Sequence, residues 1–408
     1  MSALAAWQSP AFRRYQGARL CGILGMQALH VATGWQIYEL TRRPLDLGIA
    51  GGVQFLPLLF LFPITGSLVD RFDPRRIVAL AYAWQAVLAA ALAAMTWAGL
   101  DEVWPIWLVL LGMGVGRSLA APASSALLPQ TVPIERFANA ASWTSTVWST
   151  GVIVGPALGG AMVAWAGGAA GAYVFTAALL VVGLAQLARL EARPATRARE
   201  PVSVDVMLAG LRYLWSRPIL LGAVTLDLFA VLLGGAVALL PVFAKDLLAV
   251  GPEGLGLLRG APAAGALVTA AWLSFHPVRR HAGLVLYGTV AIFGLATVAF
   301  GLSESFWLSL AALVVVGASD EVSVFIRRNV VLLATPEELR GRVSAAEFVF
   351  ISASNELGEL ESGLAAAWLG PKRAVVWGGL GTLAVVAIAA WRTKELRTLD
   401  RMEELKPG

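Results

Sequence analysis

Residues 66–77 read Gly66-Ser67-Leu68-Val69-Asp70-Arg71-Phe72-Asp73-Pro74-Arg75-Arg76-Ile77, GSLVDRFDPRRI, a short charged stretch between two long apolar segments at 47–68 and 77–99. About twenty apolar residues wound into a helix rise about 30 Å, the thickness of a bilayer's hydrocarbon core. Two such segments so close together predict a pair of membrane helices joined by a tight loop, and Arg71, Arg75 and Arg76 predict that the loop faces the cytoplasm. The rest of the chain has the same character. Of its 408 residues 58% are hydrophobic and 14% charged, against roughly 45–50% and ~25% in a soluble domain, and the mean hydropathy is +0.72. These values exclude a soluble enzyme and predict an integral membrane protein.

Scanning outward from this hairpin for segments of about 20 residues gives twelve candidate spans, near 17–40, 47–68, 77–99, 104–126, 139–164, 170–190, 218–243, 254–275, 282–301, 305–327, 344–369 and 374–391. No apolar core with a small-residue cleavage site precedes Arg13 and Arg14, so the first apolar segment is expected to be a span and not a removable signal. The pI of 9.6 is a matter of topology and not of nucleic-acid binding. With an even number of spans and both termini cytoplasmic, most of the 31 Lys and Arg fall inside; Arg42, Arg43, Lys245, Lys372 and Arg373 fall outside, and Arg117 and Arg259 fall within spans. The single cysteine, Cys21, forms no internal disulfide and gives no basis for a metal site.

The longest basic connection, LARLEARPATRAREPVSVDVMLAGLRYLWSRP, divides the chain. The expected organisation is an N-terminal six-helix bundle over 1–190, a central cytoplasmic loop over 191–217, a C-terminal six-helix bundle over 218–391 and a cytoplasmic tail over 392–408. Within the loop, Val204 to Trp215 has an amphipathic pattern suited to the inner leaflet. The halves echo each other: Pro-x-x-Leu-Gly occurs at 44–48 and at 252–256, before the second span of each half, and LLPQTVPIERFANAAS at 127–142 parallels LLATPEELRGRVSAA at 332–346. Two matches at nearly one offset, in equivalent places, indicate an internal repeat.

Gly66-x-Leu68-x-Asp70-Arg71 followed by basic residues resembles the loop signature of the major facilitator superfamily, and the resemblance covers essentially the whole chain. It departs at Asp73-Pro74, where the family's tight turn has a glycine. The resemblance implies an all-α integral membrane fold, twelve transmembrane helices in two pseudo-symmetric six-helix bundles. It also implies a cytoplasmic gating loop in which Gly66, Asp70, Arg71 and Arg75 lock the halves together. Asp70 would cap a helix of the other half while the arginines pair with acids there, and Glu347, near the cytoplasmic end of span eleven, is placed to meet that loop. The plainer alternative is a solvated basic loop that holds topology.

In the fifth span GVIVGPALGG, Gly151 to Gly160, resembles the family's antiporter motif at all five of its positions: Gly151, Gly155, Pro156, Gly159 and Gly160. That resemblance implies export. Read without it, the same glycines permit close helix packing, and a membrane helix tolerates the interior proline through its neighbours. Charges inside spans are the other signal, because each costs about 2.5–3.5 kcal/mol at a helix centre and is a functional hypothesis by default. Asp227 lies in span seven, Asp320 and Glu321 in span ten, Glu356 and Glu359 on one face of span eleven, and Arg117 in span four, the helix that carries a functional arginine in family antiporters. Clustered carboxylates suit proton coupling; the alternative for each is a structural pair with Arg117, Arg259 or Arg327. His30 in span one could titrate, though a lone membrane histidine is more often a hydrogen-bonded packing residue.

No phosphate-binding Gly-Lys-Ser/Thr loop argues for ATP as driver, and no His-Glu-x-x-His or Gly-x-Ser-x-Gly pattern supports a hydrolase. The expectation is therefore a monomeric secondary transporter of a bacterial inner membrane, not an enzyme and without cofactor or metal. It would use the proton as coupling ion, with a small organic molecule as substrate and the lipid bilayer as its other partner. Stretches such as YELTRRPLDLG and SNELGELESGLAAAWLG resemble the subgroup that contains enterobactin exporters, which implies export of a siderophore or similar molecule. Alternatives are a multidrug efflux pump, a lysophospholipid flippase and, in a different class, a non-transporting receptor or scaffold.

Overall fold

Prolines and capping residues set the helix boundaries. The computed structural model describes residues 4–191 and 204–405, with 62–64, 66, 67, 69, 70, 204–209, 345, 348, 349 and 352 described by their backbone alone. Ser9 accepts the Phe12 N–H and starts α1 (Pro10–Thr41), which Arg42 ends in the left-handed conformation at φ 53°. Pro44 opens α2 (Pro44–Arg71), and Asp73 caps α3 (Pro74–Trp97) by accepting the Arg75 N–H at 2.9 Å. There follow α4 (Trp104–Leu127), α5 (Phe137–Trp165), α6 (Ala169–Ala188), α7 (Val204–Ser216) and α8 (Pro218–Gly234). A proline at the first helical position gives up only an N–H that would have no partner there, which is why Pro10, Pro44, Pro74 and Pro218 begin helices.

The seventh predicted span, 218–243, departs from expectation. Its helix stops at Gly234, and the chain continues through a 3-10 turn at Ala236–Leu239, a single turn α9 (Leu240–Val242) and a π turn at Phe243–Leu247. Paired glycines with a proline six residues beyond cannot sustain one helix. The carbonyl of Gly235 is recovered by the Ser362 hydroxyl, which donates to it at 2.8 Å. Beyond lie α10 (Gly251–Phe275), α11 (Ala282–Leu302), α12 (Phe306–Ala334), α13 (Glu337–Leu369), α14 (Pro371–Arg392) and the short α15 (Lys394–Arg397). Every predicted span corresponds to helix. Ten of these helical segments are long and apolar enough to cross a membrane. The helices at the other two predicted spans, α1 and α13, are as long, 32 and 33 residues, but are less apolar: α13 carries several acids, and the middle of α1 holds Gln27, His30 and Gln36.

The described residues form two compact units. One comprises 1–42, 53–201 and 250–260; the other comprises 43–52, 202–249 and 261–408. A division at the central loop alone would have kept 43–52 with the first half and 250–260 with the second. In the first unit α1 packs on α5 and α6, α3 on α4 and α6, and α5 on α6. In the second the same order recurs with α8 in place of α1: α8 packs on α13 and α14, α11 on α12 and α14, and α13 on α14. The repeat read from two loops thus extends to helix packing. The second unit's core runs through Leu220, Leu226, Leu286, Val290, Ile326 and Val330. A cluster in the first is built on Tyr15, Val78, Leu127 and Leu187. Outward-facing Leu80, Val87, Leu108 and Val268 are apolar too, as a helix surrounded by lipid requires.

The chain's last described segment returns to cap α11. Asp400 accepts the His281 N–H at 2.8 Å, and the carbonyls of Asp400 and Leu399 accept those of Ala282 and Gly283 at 3.1 and 3.0 Å. The N–H of His281, with Arg280 beside it, holds the Asp400 carboxyl below its ordinary range.

Candidate functional site

Three helices of the second unit bring four ionisable side chains together. Asp227 comes from α8, Asp320 and Arg327 from α12, and Glu347 from α13. Asp320, Ser323 and Arg327 follow an i, i+3, i+7 spacing, so α12 presents them on one face. The Arg327 side chain is only 2% exposed; one terminal nitrogen lies 3.4 Å from Asp227 Oδ2, and the other donates to Glu347 Oε1. One guanidinium thus ties α12 to both neighbours, while its Nε is buried without a hydrogen-bond partner.

Asp320 stands beside this pairing and outside it. With Asp227, Ser319 and Ser323 it lines a small cavity, and it makes no hydrogen bond or salt bridge to another described residue. Ser323 Oγ in the same wall is buried and equally without a partner. Arg327 faces three carboxylates, with Arg328 also acting on Glu347 and Glu321 on Asp320, so full ionisation would leave net negative charge in a region where each charge is costly. The arrangement can therefore take up a proton, and whichever carboxylate holds it changes the competition for Arg327.

The other predicted residues lie elsewhere. Glu321, next to Asp320, is partly exposed and feels the charge of Arg328 rather than that of Arg327. Glu356 and Glu359 are on α13, nine and twelve residues beyond Glu347, about 14 and 18 Å along the helix. Glu359 sits against Gly51 of α2, and Gly363, one turn on, against Gly48, so this face of α13 is packed. Arg117 belongs to the first unit, near His30.

Two residues expected in the gating loop have partners inside their own unit. Glu347 is paired with Arg327. Arg75, expected to pair with acids of the other half, donates to the Leu190 carbonyl at the end of α6 and lies 4.0 Å from Asp73, which the departure from the family pattern put in place of glycine. Arg71 is exposed, and the side-chain positions of Gly66 and Asp70 lie outside the described residues.

Sequence reasoning named Arg327 only as one possible structural partner of the carboxylates and placed it at the cytoplasmic edge of a span ending at 327. The helix runs on to Ala334. Two signals were present: the seven-residue spacing from Asp320, and the apolar run VVLLA that follows Arg328 and Asn329.

The GVIVGPALGG glycines form a seam within the first unit. Methyl groups added at Gly155 and Gly159 would stand 2.6 Å from Gln27 Cβ and 2.6 Å from Ala28 Cα, both on α1, and one at Gly151 would strike Ile23. Gly160 turns to α10, against the Pro252 carbonyl, and α10 answers with Gly256 against Pro156 and Ala157 and with Gly260 against the carbonyl of Ile153. Such approaches leave no room for a side chain. Helix α5 continues through Pro156 without interruption.

Comparison with known proteins agrees with this architecture. Residues 1–406 match the family model described as transmembrane secretion effector. The chain is similar to the enterobactin exporter EntS of Escherichia coli O1:K1, 27% identical over 395 residues that cover 95% of this chain and 93% of the relative. It is similar too to EntS of Citrobacter koseri, 27% identical with 98% and 95% covered. Among solved structures, a bacterial homologue of the human lysosomal transporter Spinster, inward-facing and occupied, superposes with a TM-score of 0.74 at 13% identity, covering 95% of this chain and 98% of that one. A bacterial homologue of the iron transporter ferroportin, inward-facing, gives 0.69 at 15%, covering 95% and 99%. At these identities the structures speak for the fold alone.

Proposed function

The chain belongs to the transmembrane secretion effector family of the major facilitator superfamily, and from that membership we propose that it is a proton-coupled exporter of a small organic molecule such as a siderophore. It would work by alternating access in a bacterial inner membrane, with both termini in the cytoplasm. The observation that carries the coupling is the cluster in the second unit: a buried Arg327 shared by Asp227 and Glu347, with Asp320 beside it and outside the pairing. When Asp320 is charged it competes for Arg327; when it holds a proton, Arg327 is left to its two partners. Since those partners sit on α8 and α13, proton occupancy becomes a preference for one arrangement of three helices. Outward direction is supported by the relatives' names and by the antiporter motif.

One proton crossing ~100–150 mV supplies about 2–3.5 kcal/mol from voltage alone, which sustains roughly a 50–300-fold gradient of a neutral substrate. Coupling of one proton per molecule would serve a modest exporter. The test is transport in proteoliposomes under an imposed pH gradient, with enterobactin as probe and a pH dye in the lumen. Asp320→Asn is expected to abolish gradient-driven movement and the matching proton flux while the protein remains folded. Undiminished proton-driven transport in that variant overturns the coupling assignment.

A further inference from the structure

The cavity beside the Arg327 pairing has more in its walls than a proton uses. Asp227 of α8 and Ser319, Asp320 and Ser323 of α12 line it, all within the second unit. Its volume is about 10 Å³, room for a single water-sized occupant. Ser323 is 2% exposed, and its Oγ is without a hydrogen-bond partner although two carboxylates share the wall. A buried hydroxyl in that state costs stability until something accepts from it or donates to it. Protonating Asp320 neutralises charge but does not fill the space between the walls. Ser319 turns its own proton to the Val315 and Val316 carbonyls at 2.7 and 3.0 Å, which leaves its oxygen lone pairs to meet a guest.

Charge decides between the occupants that fit. With its carboxylates ionised the cluster keeps surplus negative charge after Arg327 is counted, which attracts a cation more strongly than a neutral water. Val231, in the last turn of α8, also lines the cavity, and the carbonyl end of a helix adds negative partial charge. The donor set then selects the cation. Carboxylate and hydroxyl oxygens are hard ligands, and among the described residues no three His, Cys, Asp or Glu side chains converge as a transition metal requires. A hard monovalent cation needs less charge, and Na+ is small enough to enter where one water fits. We propose that this cavity is a binding site for Na+, with Asp320, Asp227, Ser319 and Ser323 as its oxygen ligands. Asp320 is partly exposed and Ser323 is buried, so the ion enters past Asp320. The site rests on the coupling reading, in which this cluster drives transport, and widens it: Na+ entering releases the proton from Asp320, so the two ions are rival occupants of one seat.

The experiment is equilibrium binding of the ion without any gradient. The purified full chain in detergent, at mildly alkaline pH, is titrated with NaCl in place of choline chloride at constant ionic strength, with KCl as a parallel series, reading the shift in Tm. Na+ is expected to raise Tm saturably and K+ is not. Ser323→Ala should weaken the apparent affinity for Na+ about tenfold, as loss of one hydroxyl contact to a charged guest implies, and Asp320→Asn should abolish the shift. Ser323→Cys, which exchanges the hard oxygen for sulfur, provides the same test should Ser323→Ala fail to fold. No shift with Na+ would make water the occupant and overturn the proposal. Equal shifts with Na+ and K+, or a Na+ shift unchanged in both the Ser323 and Asp320 variants, would overturn it as well. Proton flux in sodium-free proteoliposomes reads the coupling assignment by itself. Flux with no Na+ response leaves proton coupling standing and overturns the sodium site, whereas a saturable Na+ response without flux supports the site and overturns proton coupling.

Discussion

A guanidinium that is 2% exposed has given up its water, and Arg327 replaces that hydration with a carboxylate from each of two neighbouring helices. Removing it would leave Asp227 and Glu347 buried and without their cation, which costs about 3–5 kcal/mol when one member of a buried pair is deleted. Arg327→Met should therefore lower Tm in detergent sharply. The triple change Arg327→Met, Asp227→Asn, Glu347→Gln should recover most of the loss, because it removes the charges along with the partner. A stable Arg327→Met protein would mean that water reaches this cluster. At this scale the carboxylates were legible: an acid amid apolar residues stands out, and Asp227 and Asp320 were found that way. Arg327 was legible only as one of three possible partners, because a basic residue at the end of an apolar run reads as a cytoplasmic anchor. Only the length of α12, set by packing beyond the span, places it inside.

Between helices, what matters is how closely backbones approach. Gly159 meets the Cα of Ala28, so even a methyl group there requires α1 and α5 to move apart, whereas Gly288 in α11 has open space where its side chain would be. Gly159→Ala is expected to destabilise by about 1–3 kcal/mol, the usual cost of overpacking, and to slow transport. Gly288→Ala should be neutral or stabilising by up to about 1 kcal/mol, since alanine suits a helix better. Thermal melts of the two variants decide it: equal behaviour would reduce the seam to composition. The spacing at 151, 155 and 159 told the sequence reader that one helix face is smooth. It did not tell which helices lie against it, because α1 and α10 come from opposite ends of the first 260 residues. The break after Gly234 was legible in its glycines and proline and was passed over because the run remains apolar throughout.

For the molecule as a whole, hydropathy and charge gave the number and places of the helices, and the repeated Pro-x-x-Leu-Gly gave the repeat. They did not give the composition of the units. The start of α2 belongs with the second unit and the start of α10 with the first. A methyl group added at Gly48 would lie 3.0 Å from Gly363 Cα of α13, just as Gly256 is pressed on Pro156 and Ala157 of α5. Both seats involve the fifth helix of a repeat and the second helix of the other, a reciprocity that no local pattern encodes. Two polypeptides made by cutting within 192–203 should each be degraded when expressed alone and should accumulate when expressed together; stable accumulation of either one by itself would contradict this. The consequence reaches into inheritance. The repeats cannot drift as independent modules, because a change at Gly160 is answerable to Pro252, which is encoded in the opposite half of the gene.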